Sequence, residues 1–396
     1  MTGATGDGGV RATRLALAQM IALAAFVLVP LPRAAGMVGD AIRTARRALL
    51  NTGGNEEFRE EAVEGYYEGL LSGDQASVNA AGAQNPGMQG MEELWGGGTR
   101  LNERLHDFLL YRPLPNIDWV DTKNHRHHVT NSLGFQDRDY SFDRSPHTWR
   151  IAIVGDSMTR ALGVEPGEGY EPLLEKYLNA HDTTPQVQSF EVINLGVSGY
   201  RMTQVFDIAF QVAPRYKPDV YVVALTWLTV GRRWGLHLSQ LVDQGIDPRY
   251  DFLRQVIHDS GLKRGDSPVT ARAKLARFML PTLRWGLTEL RRRAEGEGAH
   301  VVVFLLPHIN EAEPLVHMFS PVERMLREER IPYVSALTAL ADKDLKALDC
   351  GDGIHPNAEG HRLILQALLS DMSSAPQAEA LLLGRGQSPA RTAAGP

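Results

Sequence analysis

Residues 149–158 read Trp-Arg-Ile-Ala-Ile-Val-Gly-Asp-Ser-Met. A short apolar run ends at Gly155, and Ser157 follows two residues later. Glycine lets a chain turn sharply at a strand tip. The serine then stands near the start of the next helix, where a hydroxyl acts as a nucleophile if a base lies within reach. A plain turn with an N-capping serine has the same local pattern.

Similar apolar runs recur at 190–195 (FEVINL), 220–225 (VYVVAL) and 301–306 (VVVFLL), with a weaker one at 332–337. Near-continuous apolar strands suit a parallel sheet covered on both faces. Helical stretches fall between them at 170–181, 203–213, 270–295, 322–329 and 358–369. Strand alternating with helix predicts a three-layer α/β domain with a parallel sheet. Residues 231–269 fall outside that alternation and read as an insertion, with a lid as one role open to it. Sites in such sheets form at the carboxyl ends of the strands.

Two further stretches carry chemistry. Asp352-Gly353-Ile354-His355-Pro356-Asn357 places a carboxylate and an imidazole three residues apart, ahead of a predicted helix. In a serine triad the carboxylate orients the imidazole and stabilises its cation; a capping aspartate beside a surface histidine is the other reading. Asn194-Leu195-Gly196-Val197-Ser198-Gly199-Tyr200 follows the second strand. A glycine N–H there can donate to an oxyanion, or the stretch is a simple glycine-rich turn. It is not a G-x-S-x-G elbow, because position 200 is Tyr200.

The three blocks in this order resemble the SGNH/GDSL hydrolase superfamily over about residues 148–372. Asn131-Ser132-Leu133-Gly134-Phe135-Gln136-Asp137 and Gly65-Tyr66-Tyr67-Glu68-Gly69-Leu70-Leu71 are similar to segments of a membrane-anchored bacterial branch. The resemblance implies a flavodoxin-like sandwich, no metal or other cofactor, and a serine esterase or acylhydrolase acting on esters or on O-acyl groups of glycans or lipids. It implies Ser157 as nucleophile and first oxyanion N–H donor, Gly199 as second donor, His355 as base and Asp352 as its orienter. An O-acyltransferase using the same serine, and an impaired protein that keeps the fold, are the alternatives.

One departure stands out. The family's third strand usually ends in G-x-N-D, whose asparagine is a third oxyanion donor. Here the end reads Leu225-Thr226-Trp227-Leu228-Thr229-Val230-Gly231. Losing such a donor lowers the rate by roughly a hundred- to a thousandfold. Thr226 and Thr229 are the candidates to supply a hydroxyl instead; ordinary strand propensity also explains them.

Composition narrows the partners. Of 396 residues, 43% are hydrophobic and 22% charged, which supports a sizeable core. The net charge of −6, with no long basic run, argues against nucleic acid. Cys350 is the single cysteine, so no disulfide framework exists. Beside Asp352 it is either a thiol nucleophile or a small buried filler. His125, His127 and His128 suggest a metal site or a solvated strand; no full ligand set accompanies them, and no metal is expected. Arg160, one turn after Ser157, reads as a solvated helix charge, with an anionic substrate as its other role. His361 and Arg362 read as surface residues.

The run LALAQMIALAAFVLVPL opens at Leu15 and closes at Leu31. It is just long enough to span a thin hydrocarbon layer. Arg11 and Arg14 ahead of it resemble a secretory signal, but no clean cleavage site follows, so an uncleaved anchor is favoured. Arginines flank both ends; the signal-like start argues for export, against the positive-inside rule. The expected organisation is 1–36 tail and anchor or signal, 37–100 helical segment and linker, 101–147 lead-in, 148–375 the α/β domain, and 376–396 a disordered tail.

Overall fold

The apolar runs become one parallel sheet in the computed structural model, which describes residues 101–121, 126–231, 234–309 and 314–385. The first strands pair as antiparallel ribbons: β1 (Asn102–Arg104) with β2 (Tyr111–Pro113), and β3 (Asp118–Asp121) with β4 (Arg126–Val129). The main sheet comprises β5 (Thr148–Gly155), β6 (Ser189–Gly196), β7 (Val220–Leu225), β8 (His300–Leu305) and β9 (Tyr333–Ser335). Its spatial order is β6-β5-β7-β8-β9, all neighbours parallel. The order reverses between β5 and β7, and a crevice opens at such a switch point.

The helices are α1 (Tyr170–His181), α2 (Met202–Gln211), α3 (Trp227–Val230), α4 (Leu236–Gln244), α5 (Asp251–Ser260), α6 (Pro268–Leu275), α7 (Met279–Gly296), α8 (Pro314–Glu328), α9 (Leu345–Leu348), α10 (Ala358–Ser374) and α11 (Pro376–Leu382). Successive strand residues point to opposite faces. Ile151, Ile153, Val222 and Phe304 pack with Leu174 of α1 and Ile364 and Leu368 of α10. Ala152, Val154, Val223 and Val303 pack with Phe206 of α2, Leu287 of α7 and Val322 of α8. Both faces are buried, as the uninterrupted apolar runs require.

Two expectations about the chain's edges are corrected. The insertion is not a lid. Trp234, Leu238, Leu241, Leu253 and Val256 are buried in the main core, and His237 accepts from Thr203 (2.7 Å) and donates to the Phe108 carbonyl (2.5 Å). Burial holds that imidazole down at about 3, hence neutral. Nor is the tail disordered from residue 376. Helix α11 buries Leu382, with Leu383 just beyond it, and the Trp149 indole N–H donates to the Leu381 carbonyl (3.2 Å). Each buried leucine contributes about 1.5–3 kcal/mol, enough to hold a short helix that is marginal alone. Residues 386–396 lie outside the described residues.

The lead-in motif folds as a turn against the sheet. Asn131 Oδ1 accepts from the N–H groups of Leu133 and Phe135, both at 3.0 Å. The turn delivers Asp137 to the edge strand β6, where its Oδ2 accepts from Asn194 N–H (2.8 Å). Three more side chains serve that edge. Glu175 accepts from Val192 N–H (2.8 Å), Tyr140 donates to the Val192 carbonyl (3.0 Å), and Asn179 pairs with both backbone groups of Phe190 (2.9 Å each).

Burial pushes the Asp137 carboxyl up to about 7, against backbone donors that pull it down. A raised acid favours folding fully below its ordinary value, and that contribution is lost as pH rises through about 7. Asp137→Asn keeps an acceptor for Asn194 but cannot ionise. Thermal melts between about pH 4 and 7 should therefore show the wild type losing stability as pH rises and the variant staying flatter. Parallel curves would refute the assignment.

The apolar run at Leu15, the linker and the segment at Gly65 lie outside the described residues. Among the described residues no helix is long and apolar enough to cross a membrane.

Candidate active site

Ser157 follows β5 on a tight turn. Asp156 Oδ1 accepts from Met158 N–H (2.9 Å), and Arg160 N–H donates to the Asp156 carbonyl (2.9 Å). Asp352 and His355 ride the loop before α10. Asp349 builds that loop: its Oδ1 accepts from the N–H groups of Gly351 (2.9 Å), Asp352 (3.1 Å) and Gly353 (3.0 Å). Asn357 caps α10 by accepting from Glu359 and Gly360 (3.1 Å each), which fixes the loop's exit.

These two stretches meet. His355 Nε2 lies 2.8 Å from Ser157 Oγ, and His355 Nδ1 lies 2.9 Å from Asp352 Oδ2. The other oxygen, Oδ1, accepts from the N–H groups of Ile354 and His355, both at 2.9 Å. A carboxylate only accepts, so Nδ1 carries its proton and Nε2 is left to accept from the serine hydroxyl. All three residues are fully buried, where polar interactions are stronger than in water.

Gly199 also comes to this end of the sheet. It sits at φ 78°, a conformation that disfavours any residue with a Cβ. Gly196 lets the second block press on the serine turn: a Cβ there would come within 2.4 Å of Arg160 N. Among the described residues, neither Ser157 N–H nor Gly199 N–H donates to a protein acceptor. Uncommitted N–H groups are what an oxyanion site needs.

Thr226 and Thr229 are not presented as oxyanion donors. Thr226 Oγ1 donates to Asp156 Oδ2, in a short contact. Thr229 Oγ1 donates to the Thr226 carbonyl (2.7 Å) and accepts from Thr226 N–H (2.9 Å). Together they cap α3 and hold the Asp156 carboxylate. Thr226→Val leaves that buried oxygen without its hydroxyl. We expect a loss of about 1–3 kcal/mol in urea unfolding, and an unchanged midpoint would contradict it.

Three polar residues sit deeper than their letters suggest. Arg160 is 1% exposed, with Nη1 donating to Ser198 Oγ (3.3 Å). It is not a solvated charge, because the serine turn is packed beneath the second glycine block. His361 is wholly buried and stacks on Tyr170 with ring centroids 6.3 Å apart. Burial first, and the nearby His355 second, hold it down at about 3; only Arg362 is a surface residue, paired with Glu359. His308, which follows β8, was not singled out by sequence: its ring lies edge-on to His355, centroids 6.3 Å apart.

The remaining candidates are placed as follows. Cys350 is half-buried on the loop that carries Asp352 and His355 and fills the space left by Gly163, where a Cβ would meet Sγ at 2.5 Å. Its thiol and the Asp352 and His355 ligand atoms lie within 4.8 Å of one another, but the imidazole and carboxylate already bond to each other. His127 pairs with Asp118 (2.6 Å), while the buried His128 stacks on Trp119. Adjacent strand residues point apart, so the two do not share a ligand set. His125 lies outside the described residues.

A family model described as the GDSL-like Lipase/Acylhydrolase family matches residues 153–363, slightly over half of the 396 residues. Among solved structures, the crystal structure of TesA is 20% identical, covers 57% of this chain and 99% of its own, with a TM-score of 0.37. A catalytic mutant of Axe2, an acetylxylan esterase from Geobacillus stearothermophilus, is 18% identical over 56% of this chain and 93% of its own, TM-score 0.37. LAE5, an alpha/beta hydrolase enzyme from the metagenome of Lake Arreo, Spain, is 18% identical over 61% and 97%, TM-score 0.38. No curated protein matches.

Proposed function

Because the chain belongs to the GDSL-like lipase/acylhydrolase family and is thus an ester-bond hydrolase, we propose that it works as a serine esterase through Ser157, His355 and Asp352. The observation that carries this reading is the unbroken relay from Ser157 Oγ to His355 Nε2 (2.8 Å) and from His355 Nδ1 to Asp352 Oδ2 (2.9 Å). Ser157 Oγ attacks the ester carbonyl and its proton passes to His355. The N–H groups of Ser157 and Gly199 receive the oxyanion. His355 returns the proton to the departing alcohol, and water, activated by the same imidazole, releases the acid from the acyl-enzyme.

For the substrate class, the reading is supported by one stretch of sequence. We take the apolar run from Leu15 to Leu31 as a tether of the membrane-anchored branch, with the hydrolase outside the cytoplasm. O-acyl groups on cell-envelope glycans or lipids are then the esters within reach. The absent third-strand asparagine favours a second reading, a protein that keeps the fold with little turnover.

A fluorophosphonate probe on the full-length protein decides between them. Covalent labelling of Ser157 supports the enzyme; an unlabelled wild type defeats it. Product analysis with and without a polyol acceptor then separates hydrolysis from acyl transfer.

A further inference from the structure

Arg160 is a buried charge that the triad does not use. Arg160 stands three residues after Ser157. Its Nη2 has no hydrogen-bond partner, and no carboxylate pairs with it among the described residues. Burial lowers it only to about 10, so the guanidinium stays charged at neutral pH. An unpaired buried cation costs stability, and a methionine would fill the space without that cost. Folding alone does not explain it.

Its surroundings do. Nη1 holds Ser198 Oγ at 3.3 Å, and the Ser198 carbonyl accepts from the Tyr111 hydroxyl (2.6 Å). The next N–H in the chain is that of Gly199. The serine turn and the loop 196–199 thus pack together, a Cβ at Gly196 coming within 2.4 Å of Arg160 N and the guanidinium bonding Ser198.

We propose that Arg160 is a positioning residue for the oxyanion. It fixes Ser198, and so the Gly199 N–H, and its uncompensated charge offsets the negative charge that develops on the substrate oxygen. It stands in for the neutral donor missing from 225–231. The inference rests on the serine-esterase reading. As the Oγ–carbon bond forms, the carbonyl electron pair moves onto oxygen and the hydroxyl proton moves to His355. Arg160 exchanges no proton; it stabilises only the charge that appears. A field in a low-dielectric interior reaches beyond hydrogen-bond distance.

The test compares full-length wild type, Arg160→Met and Arg160→Lys by turnover of p-nitrophenyl acetate, melting temperature and fluorophosphonate labelling. We expect Arg160→Met to lose about ten- to a hundredfold in kcat with KM little changed. Its melting temperature should match or exceed wild type, because an unpaired buried charge is gone. Arg160→Lys should recover part of kcat. Wild-type kcat in Arg160→Met would overturn the inference. So would a lowered melting temperature that tracks the lost activity, or a lysine variant no better than methionine. A wild type that resists the probe strikes the esterase reading itself, whereas a labelled wild type with an indifferent Arg160→Met strikes only this inference.

Discussion

Ser157→Ala should turn over p-nitrophenyl acetate about 10⁶-fold more slowly than wild type, since removing the nucleophile of a triad costs about as much as removing the whole relay. The change deletes one oxygen whose bond in this structure is to His355 Nε2. The turn that carries it is held by the Asp156 carboxylate and carbonyl, which accept from the N–H groups of Met158 and Arg160, and neither bond uses that hydroxyl. The melting temperature should therefore stay near wild type. Steady-state kinetics beside a thermal melt check both halves. Activity that survives in the folded variant would move the nucleophile elsewhere, with the Cys350 thiol the first place to look.

Asp352→Asn should lower kcat by about 10⁴-fold while leaving the loop folded. An asparagine oxygen can still accept from the N–H groups of Ile354 and His355, which Oδ1 now serves. The amide nitrogen then faces His355 Nδ1 in place of Oδ2. Two donors repel, so the imidazole takes the other tautomer and its Nε2 carries the proton. It can no longer accept from Ser157. The check is kcat together with imidazole proton resonances, which report the tautomer. A variant within tenfold of wild type would show that the carboxylate does not set the ring.

The sheet and its serine were legible because apolar runs bounded by glycine leave little choice of element. Val220–Leu225 is a strand at the limits expected, and Ser157, Gly199 and His355 come to one end of the sheet. What sequence could not show was depth. Arg160 and His361 carry polar letters, and polarity defaults to the surface; Arg160 is buried where the loop after β6 packs on its turn, and His361 where its ring stacks on Tyr170. The residue Asp349 had a signal that was available: an aspartate ahead of Gly351 and Gly353 is the pattern of a side chain gathering backbone N–H groups. The tail misled by composition, because Ala, Gly and Pro hid the three leucines at 381–383 that dock it. Thr226 read as a strand residue or spare donor, when its hydroxyl is spent on Asp156 across the switch point.

The side chains along β6 have a bearing on how this protein can be cut and joined. An outer strand with bare amides and carbonyls is a template for another chain's strand, hence for fibrils and exchanged dimers. Here Asp137, Tyr140, Glu175 and Asn179 occupy those groups one by one, so no foreign strand can zip on without first displacing them. Two of the four come from ahead of β5. A fragment trimmed to the family-matched stretch would shed both, and the first half of β5 with them, so a fragment that keeps this edge covered starts upstream of Asn131.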